Sequence, residues 1–296
     1  MSGINIDENK IVEAVMKALQ GQISEADSSA LAGALKAGDN PDDGELPDIT
    51  AIPENDICLV DSPKNREAIL RLKRTTPART ATGRIGDREK ALIVFRKKAA
   101  HAGASDAVWD EADLSFAEAN NIPVIESAAG NKEQYLMRPD LGVKVREEDM
   151  EVVKNRLKKN PDVQIILGEG QSNLAIQKGL PELYPALIQG LEANGIDYGT
   201  PVFVKYTRVG VGDYISDAVG AKISCVILGE RPGLLSWNSL SVYLTYGAKP
   251  GILENSRTVI SNINDDGVPY SEAGAYAADL IKKILAEKKS GSELVV

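Results

Sequence analysis

The second half of the chain alternates short apolar runs with longer segments whose apolar residues recur at helical spacing. Residues 163–167 and 223–228 are almost unbroken apolar runs, typical of central strands in a parallel sheet that is covered on both faces. Helices are predicted between the strands, one of them opened by Pro181. Further strand candidates are residues 201–206, 240–246 and 257–262. The alternation predicts an α/β fold over residues 161–296, with a Rossmann-like, doubly wound and mainly parallel sheet.

The first sixty residues have a different pattern. Residues 7–20 carry an amphipathic stripe that begins after Asp7, a plausible helix N-cap, so residues 1–20 are predicted to contain a short helix. Residues 21–61 are rich in Gly, Ser, Asp and Pro and are predicted to be a flexible acidic linker. A helix on a tether is typical of a docking or packaging segment. The alternative is a helix that folds onto the body of the protein.

Residues 62–160 are predicted to form a mainly helical region that precedes the sheet. Its helix candidates are residues 66–73, 89–100 and 147–159. The loop 75–86 contains Arg79 and Arg84 among Thr, Pro and Gly residues that interrupt helices. Such a loop could hold an anionic group or a carboxylate-bearing partner surface, or its arginines could simply be solvated.

The net charge of −9 is concentrated in one segment. Residues 21–61 hold ten acidic side chains and one lysine, so this segment alone accounts for the whole net charge. Nucleic-acid binding is therefore not expected, because it requires a basic surface. No apolar run approaches the roughly 20 residues that span a bilayer, and the N-terminus lacks the pattern of a secretion signal. Two cysteines, Cys58 and Cys225, imply no disulfide framework.

Charged residues follow the two buried runs at matching positions. Each run ends in Leu-Gly-Glu, with Glu169 after the first and Glu230, followed by Arg231, after the second. In open α/β sheets ligands bind beyond the carboxyl ends of the strands, so these side chains are expected to lie where a ligand would be met. Glu169 and Glu230 could also act together as acid and base, although the sequence does not give their separation.

Two glycine-rich loops leave a nicotinamide-dependent oxidoreductase open as an alternative. Gly168 and Gly170, and likewise Gly210 and Gly212, match part of a dinucleotide-binding fingerprint, but both loops lack its third small residue. The glycines are equally explained by tight turns between strands and helices. The single histidine, His101, and the two cysteines exclude a zinc or iron site, and no complete catalytic set is present. This shortage suits a subunit that contributes part of a site to a partner.

Five separated blocks resemble the small subunit (light chain) of ethanolamine ammonia-lyase, in the same order and over roughly residues 63–290. The blocks are residues 75–86 (TTPARTATGRIG), 135–142 (YLMRPDLG), 160–165 (NPDVQI), 229–233 (GERPG) and 257–263 (RTVISNI). The resemblance implies a subunit of a lyase that uses adenosylcobalamin to convert ethanolamine to acetaldehyde and ammonia. It also implies a hetero-oligomer in which the large subunit binds ethanolamine and carries the radical chemistry.

The same resemblance implies how this chain takes part. Its sheet domain would cover the cobalamin at the interface with the large subunit, and Val209, Glu230 and Val259 would contact the cofactor. No catalytic residue and no metal ligand are expected in this chain. The helix of residues 7–20 would direct the enzyme into a bacterial microcompartment in the cytoplasm. A structural assembly subunit without cofactor contact stays open as an alternative.

The histidine indicates the binding mode of the cofactor. Proteins that replace the lower axial base of cobalamin do so with a histidine in an Asp-x-His-x-x-Gly motif, whereas Ala99 stands two residues before His101. The chain is therefore expected not to ligate cobalt, and cobalamin is expected to keep its own dimethylbenzimidazole, the base-on form.

Overall fold

A computed structural model describes residues 48, 49 and 51–295. These residues fall into two compact units, one ending at Ala102 and the other beginning at Gly103. The predicted helix of residues 7–20 and most of the predicted linker lie outside the described residues. The predicted boundary between residues 160 and 161 stays a prediction.

The first unit contains short elements around a small core. They are a 3₁₀ turn at Glu54–Asp56, helix α1 (Arg66–Lys73), the hairpin of β1 (Arg84–Ile85) and β2 (Arg88–Glu89), and helix α2 (Ala91–Trp109), which continues past the unit boundary. Asn65 caps α1, since its side chain accepts a hydrogen bond from the Ala68 amide at 2.9 Å. Ile57 and Leu59 are buried against residues of α2, so the end of the 21–61 stretch is part of a core.

The second unit is built on a six-stranded mixed sheet. Its strands are β3 (Val124–Glu126), β4 (Val163–Gly168), β5 (Val202–Lys205), β6 (Ile223–Gly229), β7 (Leu240–Tyr246) and β8 (Arg257–Ile263). The order across the sheet is β3-β5-β4-β6-β7-β8; the first four strands are parallel, and β7 runs antiparallel to both of its neighbours. The predicted α/β class is confirmed. The Rossmann-like character stays a prediction.

Helices cover both faces of the sheet and create two hydrophobic cores. The helices of this unit, besides the end of α2, are α3 (Ser115–Ala119), α4 (Lys132–Met137), α5 (Glu147–Arg156), α6 (Asn173–Ala193), α7 (Val211–Val219) and α8 (Tyr270–Glu287). One core contains residues of α6 and α8, and the other contains residues of α5 and α7. Strand β6 contributes alternate residues to each, Cys225 and Ile227 to the first and Val226 and Leu228 to the second. This explains why its sequence is apolar throughout.

The start of α6 differs from the prediction. Pro181 lies inside α6, which begins at Asn173 and also contains Pro185. Ser172 is the cap, because its hydroxyl accepts a hydrogen bond from the Ala175 amide at 3.2 Å. The apolar stripe that includes Leu180 and Leu183 is fully buried along this helix, so tertiary packing keeps the segment helical despite the prolines.

Within the part of the chain that the structure describes, none of the helices is long and apolar enough to cross a membrane. The same residues contain no group of three or more His, Cys, Asp or Glu side chains that could hold a metal ion.

Candidate functional site

The loops after β4 and β6 meet at the carboxyl edge of the sheet. The Gln171 amide donates to the Gly229 carbonyl at 2.9 Å. A Cβ atom on Gly170, whose φ is +62°, would lie 2.1 Å from that same carbonyl oxygen, so only glycine fits here. A Cβ on Gly168 would likewise lie 2.4 Å from Cγ2 of Thr207. These glycines therefore allow the chain to pack against itself, as the tight-turn interpretation predicted.

The second glycine loop has a similar explanation. A Cβ on Gly212, in the first turn of α7, would lie 2.4 Å from Cγ2 of Val226 and 2.6 Å from the hydroxyl of Ser224. Gly212 thus lets α7 approach β6 closely. Neither glycine loop needs a dinucleotide to account for it.

Glu169 is a fully buried carboxylate that the protein itself neutralises. Its Oε1 accepts from Lys132 Nζ at 2.8 Å and from Asn173 Nδ2 at 3.1 Å, and its Oε2 accepts from the Tyr206 amide at 2.8 Å. A carboxylate with these donors and no solvent contact holds α4 to strands β4 and β5. It is not suited to exchange protons with a substrate, so the pairing of Glu169 and Glu230 as acid and base finds no support.

Glu230 has a different environment, since its side chain is partly exposed at the end of β6. The hydroxyl of Tyr243 on β7 donates to Glu230 Oε1 at 2.5 Å. Burial, together with this hydrogen bond to a carboxylate, raises the pKa of Tyr243, so the phenol keeps its proton and acts as a donor. No sequence motif marks Tyr243, which joins Glu230 only through the pairing of β6 with β7.

Tyr243 also connects Glu230 with Val259. In the antiparallel register Tyr243 pairs with Val226 on β6 and with Val259 on β8. Directly paired residues project from the same face of a sheet, here the face that α7 covers. Val259 is 45% exposed beside the partly buried Tyr243. We call the surface formed by Glu230, Tyr243 and Val259 the open face.

Val209 lies near the same side of the sheet, in the loop between β5 and α7. It is partly buried and packs against the α5–α7 core, as Tyr243 does. The structure therefore brings Glu230 and Val259 together through Tyr243 and assigns Val209 to the same core.

A buried ion pair fixes β8 to α7 next to the open face. Arg257, two residues before Val259, donates to both carboxylate oxygens of Asp213 at 2.8 and 2.7 Å, and to Glu254 Oε2 at 2.7 Å. The side chains of Arg257 and Asp213 are only 3% and 6% exposed. This bidentate contact holds the outer strand against the helix.

Two buried donors at the carboxyl edge lack partners. The Tyr135 hydroxyl is buried and has no hydrogen-bond partner among the described residues, and the same is true of Arg208 Nε. The Arg208 guanidinium stacks on the Tyr135 ring, with Cζ 4.4 Å from the ring centroid. Burial raises the pKa of Tyr135, so its hydroxyl is a donor. No sequence pattern indicates this pair, because Tyr135 lies on α4 and Arg208 lies in the loop after β5.

The basic loop of residues 75–86 engages its arginines within the first unit. Arg79 Nε lies 3.2 Å from Glu54 Oε2, with both side chains largely buried. Arg84 donates to the Asp87 carbonyl within the β1–β2 turn. Arg79 is thus engaged inside its own unit, and Arg84 is exposed.

Comparison with known proteins identifies the family. A family model described as ethanolamine ammonia-lyase light chain (EutC) matches residues 66–295. The chain belongs to this family. Relatives named ethanolamine ammonia-lyase small subunit include one from Clostridium tetani, which is 44% identical over 253 residues, 86% of each chain. Another, from Clostridioides difficile, is 39% identical over 289 residues, covering 96% of this chain and 99% of the relative.

Membership of the ethanolamine ammonia-lyase light chain family confirms the resemblance carried by the five sequence blocks. The family match begins at the first residue of α1, Arg66, so the N-terminal stretch falls outside it. The Clostridioides difficile relative nevertheless aligns into that stretch. With the glycine loops explained by packing, the family match leaves the nicotinamide-dependent oxidoreductase without support.

Proposed function

We propose that this chain is the small subunit of an adenosylcobalamin-dependent ethanolamine ammonia-lyase, which converts ethanolamine to acetaldehyde and ammonia. It assembles with the large subunit into a hetero-oligomer and covers the cobalamin at the interface between them. Substrate binding and the radical chemistry belong to the large subunit. The observation that carries this proposal is the open face, where Tyr243 joins two of the three expected cofactor contacts.

The residues of the open face fit a corrinoid. Cobalamin presents a broad apolar ring edged with amides, and adenosylcobalamin supplies carbon-radical chemistry when bound. The Glu230 carboxylate is a ready acceptor for amide N–H groups, with Tyr243 fixing its orientation. Val259 offers exposed apolar area, and Leu234 and Leu235, 38% and 57% exposed, follow Glu230 in the chain. Val209 supplies apolar and backbone contact.

We also propose that the cofactor is bound base-on. His101 is exposed on α2, is the single histidine of the chain, and lacks the preceding Asp of base-off proteins. The chain's part is thus to bind and orient cobalamin, with no ligand of its own to the cobalt.

The N-terminal segment has a separate role in this proposal. The amphipathic pattern of residues 7–20 and the acidic tether that follows support packaging of the enzyme into a bacterial microcompartment in the cytoplasm.

The test is cobalamin binding by the complex of this chain with the large subunit. We expect Glu230→Ala to weaken binding of hydroxocobalamin, measured by absorbance titration, by about 1–3 kcal/mol, because corrin amides would lose their acceptor. Glu272→Ala is the matched control, since Glu272 is exposed on α8, which packs on the other face of the sheet. Equal affinity of the Glu230→Ala complex and wild type would favour the structural assembly subunit instead.

A further inference from the structure

Arg208 is a partly buried cation at the carboxyl edge that no acidic side chain of the described residues neutralises. The buried cations among the described residues of the second unit are matched: Lys132 pairs with Glu169, and Arg257 pairs with Asp213. Arg208 makes one long hydrogen bond, from its Nη2 to the Tyr135 carbonyl at 3.4 Å, and its Nε is buried without a partner. A partly buried guanidinium with an unused donor is suited to an anion supplied from outside the chain.

The position of this guanidinium is fixed by its neighbours. It stacks on the fully buried ring of Tyr135, and the Arg208 amide donates to the Gly142 carbonyl at 2.8 Å. A Cβ on Gly142 would lie 2.9 Å from Cγ of Arg208, so this glycine leaves room for the arginine side chain. The Tyr135 hydroxyl is a second buried donor without a partner in the same cluster.

The α7 backbone amides near Arg208 are not free to bind an anion. The first amides of α7, those of Val211 and Gly212, already donate to the carbonyls of Arg208 and Val209 at 3.0 and 3.1 Å. An anion at this edge would therefore have to be held mainly by the side chain of Arg208.

Arg208 directly precedes Val209, so its ligand would belong to the same bound molecule. The periphery of cobalamin is made of neutral amides except for the phosphodiester of the nucleotide loop, which is anionic. We infer that Arg208 binds this phosphodiester and thereby selects corrinoids that carry the phosphate of the nucleotide loop. The inference rests on the proposed function, because it takes cobalamin as the ligand. It adds a specificity-determining residue to the contacts Val209, Glu230 and Val259.

The experiment compares three probes on the complex with the large subunit: hydroxocobalamin, cobinamide phosphate, which keeps the phosphate but lacks the base and ribose, and cobinamide, which lacks all three. Affinities are measured by absorbance titration, without reference to turnover. We expect Arg208→Gln to weaken hydroxocobalamin and cobinamide phosphate about 10- to 100-fold, the range for a lost charged hydrogen bond, and to leave cobinamide unchanged. Arg208→Lys should restore part of the loss, since it keeps the charge but not the planar fork.

Three outcomes would overturn the inference. Equal weakening of all three probes by Arg208→Gln would mean that the stack on Tyr135 only supports the fold. An effect on hydroxocobalamin but not on cobinamide phosphate would mean that Arg208 contacts the base or the ribose. If Arg231→Gln, and not Arg208→Gln, weakened the two phosphate-containing probes relative to cobinamide, the phosphate would belong to Arg231, the exposed arginine after Glu230. A wild-type complex that binds none of the probes would contradict the proposed function itself.

Discussion

Two glutamates follow neighbouring parallel strands of this chain, and their surroundings give them different properties. Glu169 takes three hydrogen bonds at 0% exposure, whereas Glu230 is partly exposed and takes one from Tyr243. The shared Leu-Gly-Glu motif predicts their position at the sheet edge but not this difference. The difference depends on Lys132 and Tyr243, which lie on other elements. It could therefore not be predicted from the pattern of the two strands alone.

Tyr243 provides a test at the scale of one hydroxyl. We expect Tyr243→Phe in the complex with the large subunit to lower the affinity for hydroxocobalamin by about 1 kcal/mol, because Glu230 loses the donor that orients it. In a Glu230→Gln background the same substitution should have little effect, since the two residues act as one unit. The measurement is a double-mutant cycle of absorbance titrations.

The control for Tyr243→Phe is Tyr246→Phe on the same strand. Tyr246 packs against the opposite core, so its substitution should leave hydroxocobalamin affinity unchanged. Additive effects of Tyr243→Phe and Glu230→Gln would contradict a positioning role for Tyr243.

At the scale of elements, the sheet was largely predictable because its strands are defined by burial. The strand at 240–246 has the predicted bounds, and those at 163–168 and 223–229 extend one residue beyond the prediction. The antiparallel direction of β7 was not predictable from its apolar pattern, although it decides which residues share a face with Val259. Pro181 predicts the start of a helix, but α6 begins earlier, at Asn173, because Ser172 provides the cap.

The contact between β8 and α7 allows a prediction about stability. We expect Arg257→Met to lower the free energy of unfolding by about 3–5 kcal/mol, because it leaves the Asp213 carboxylate buried without its partner. Replacing both residues, in Arg257→Met/Asp213→Leu, should recover much of this loss, since two apolar side chains need no hydrogen bonds. Urea unfolding of the purified chain gives both values.

An exposed ion pair is the comparison for that experiment. Lys222 Nζ lies 2.6 Å from Asp162 Oδ1, with side chains 60% and 26% exposed. Lys222→Ala should therefore leave the free energy of unfolding close to that of wild type, because solvent screens the pair. If Arg257→Met had an equally small effect, the buried pair would not hold β8 to the helix.

At the scale of the whole molecule, the site and the net charge lie in different parts of the chain. The resemblance blocks and the candidate site lie within residues 66–295, the range of the family match. The acidic excess lies almost wholly before it, in residues 21–61. The candidate site lies outside the acidic segment, and the rest of the chain is close to neutral. Removing the segment should therefore change the localisation of the protein more than its binding of cobalamin.

This division predicts the effect of removing residues 1–40. The deletion stops before Ile49, whose carbonyl, like that of Ile52, accepts a hydrogen bond from buried Arg96 at 2.8 Å. The first unit therefore keeps this clamp, and we expect the truncated chain to assemble with the large subunit and bind hydroxocobalamin with unchanged affinity. We expect the truncated chain to be lost from purified microcompartments, which immunoblotting of the shell fraction measures.

A full-length chain with Val12→Glu and Leu19→Glu, which interrupts the apolar stripe, should be lost to the same extent. Retention of both variants in the shell fraction would mean that packaging does not depend on this helix.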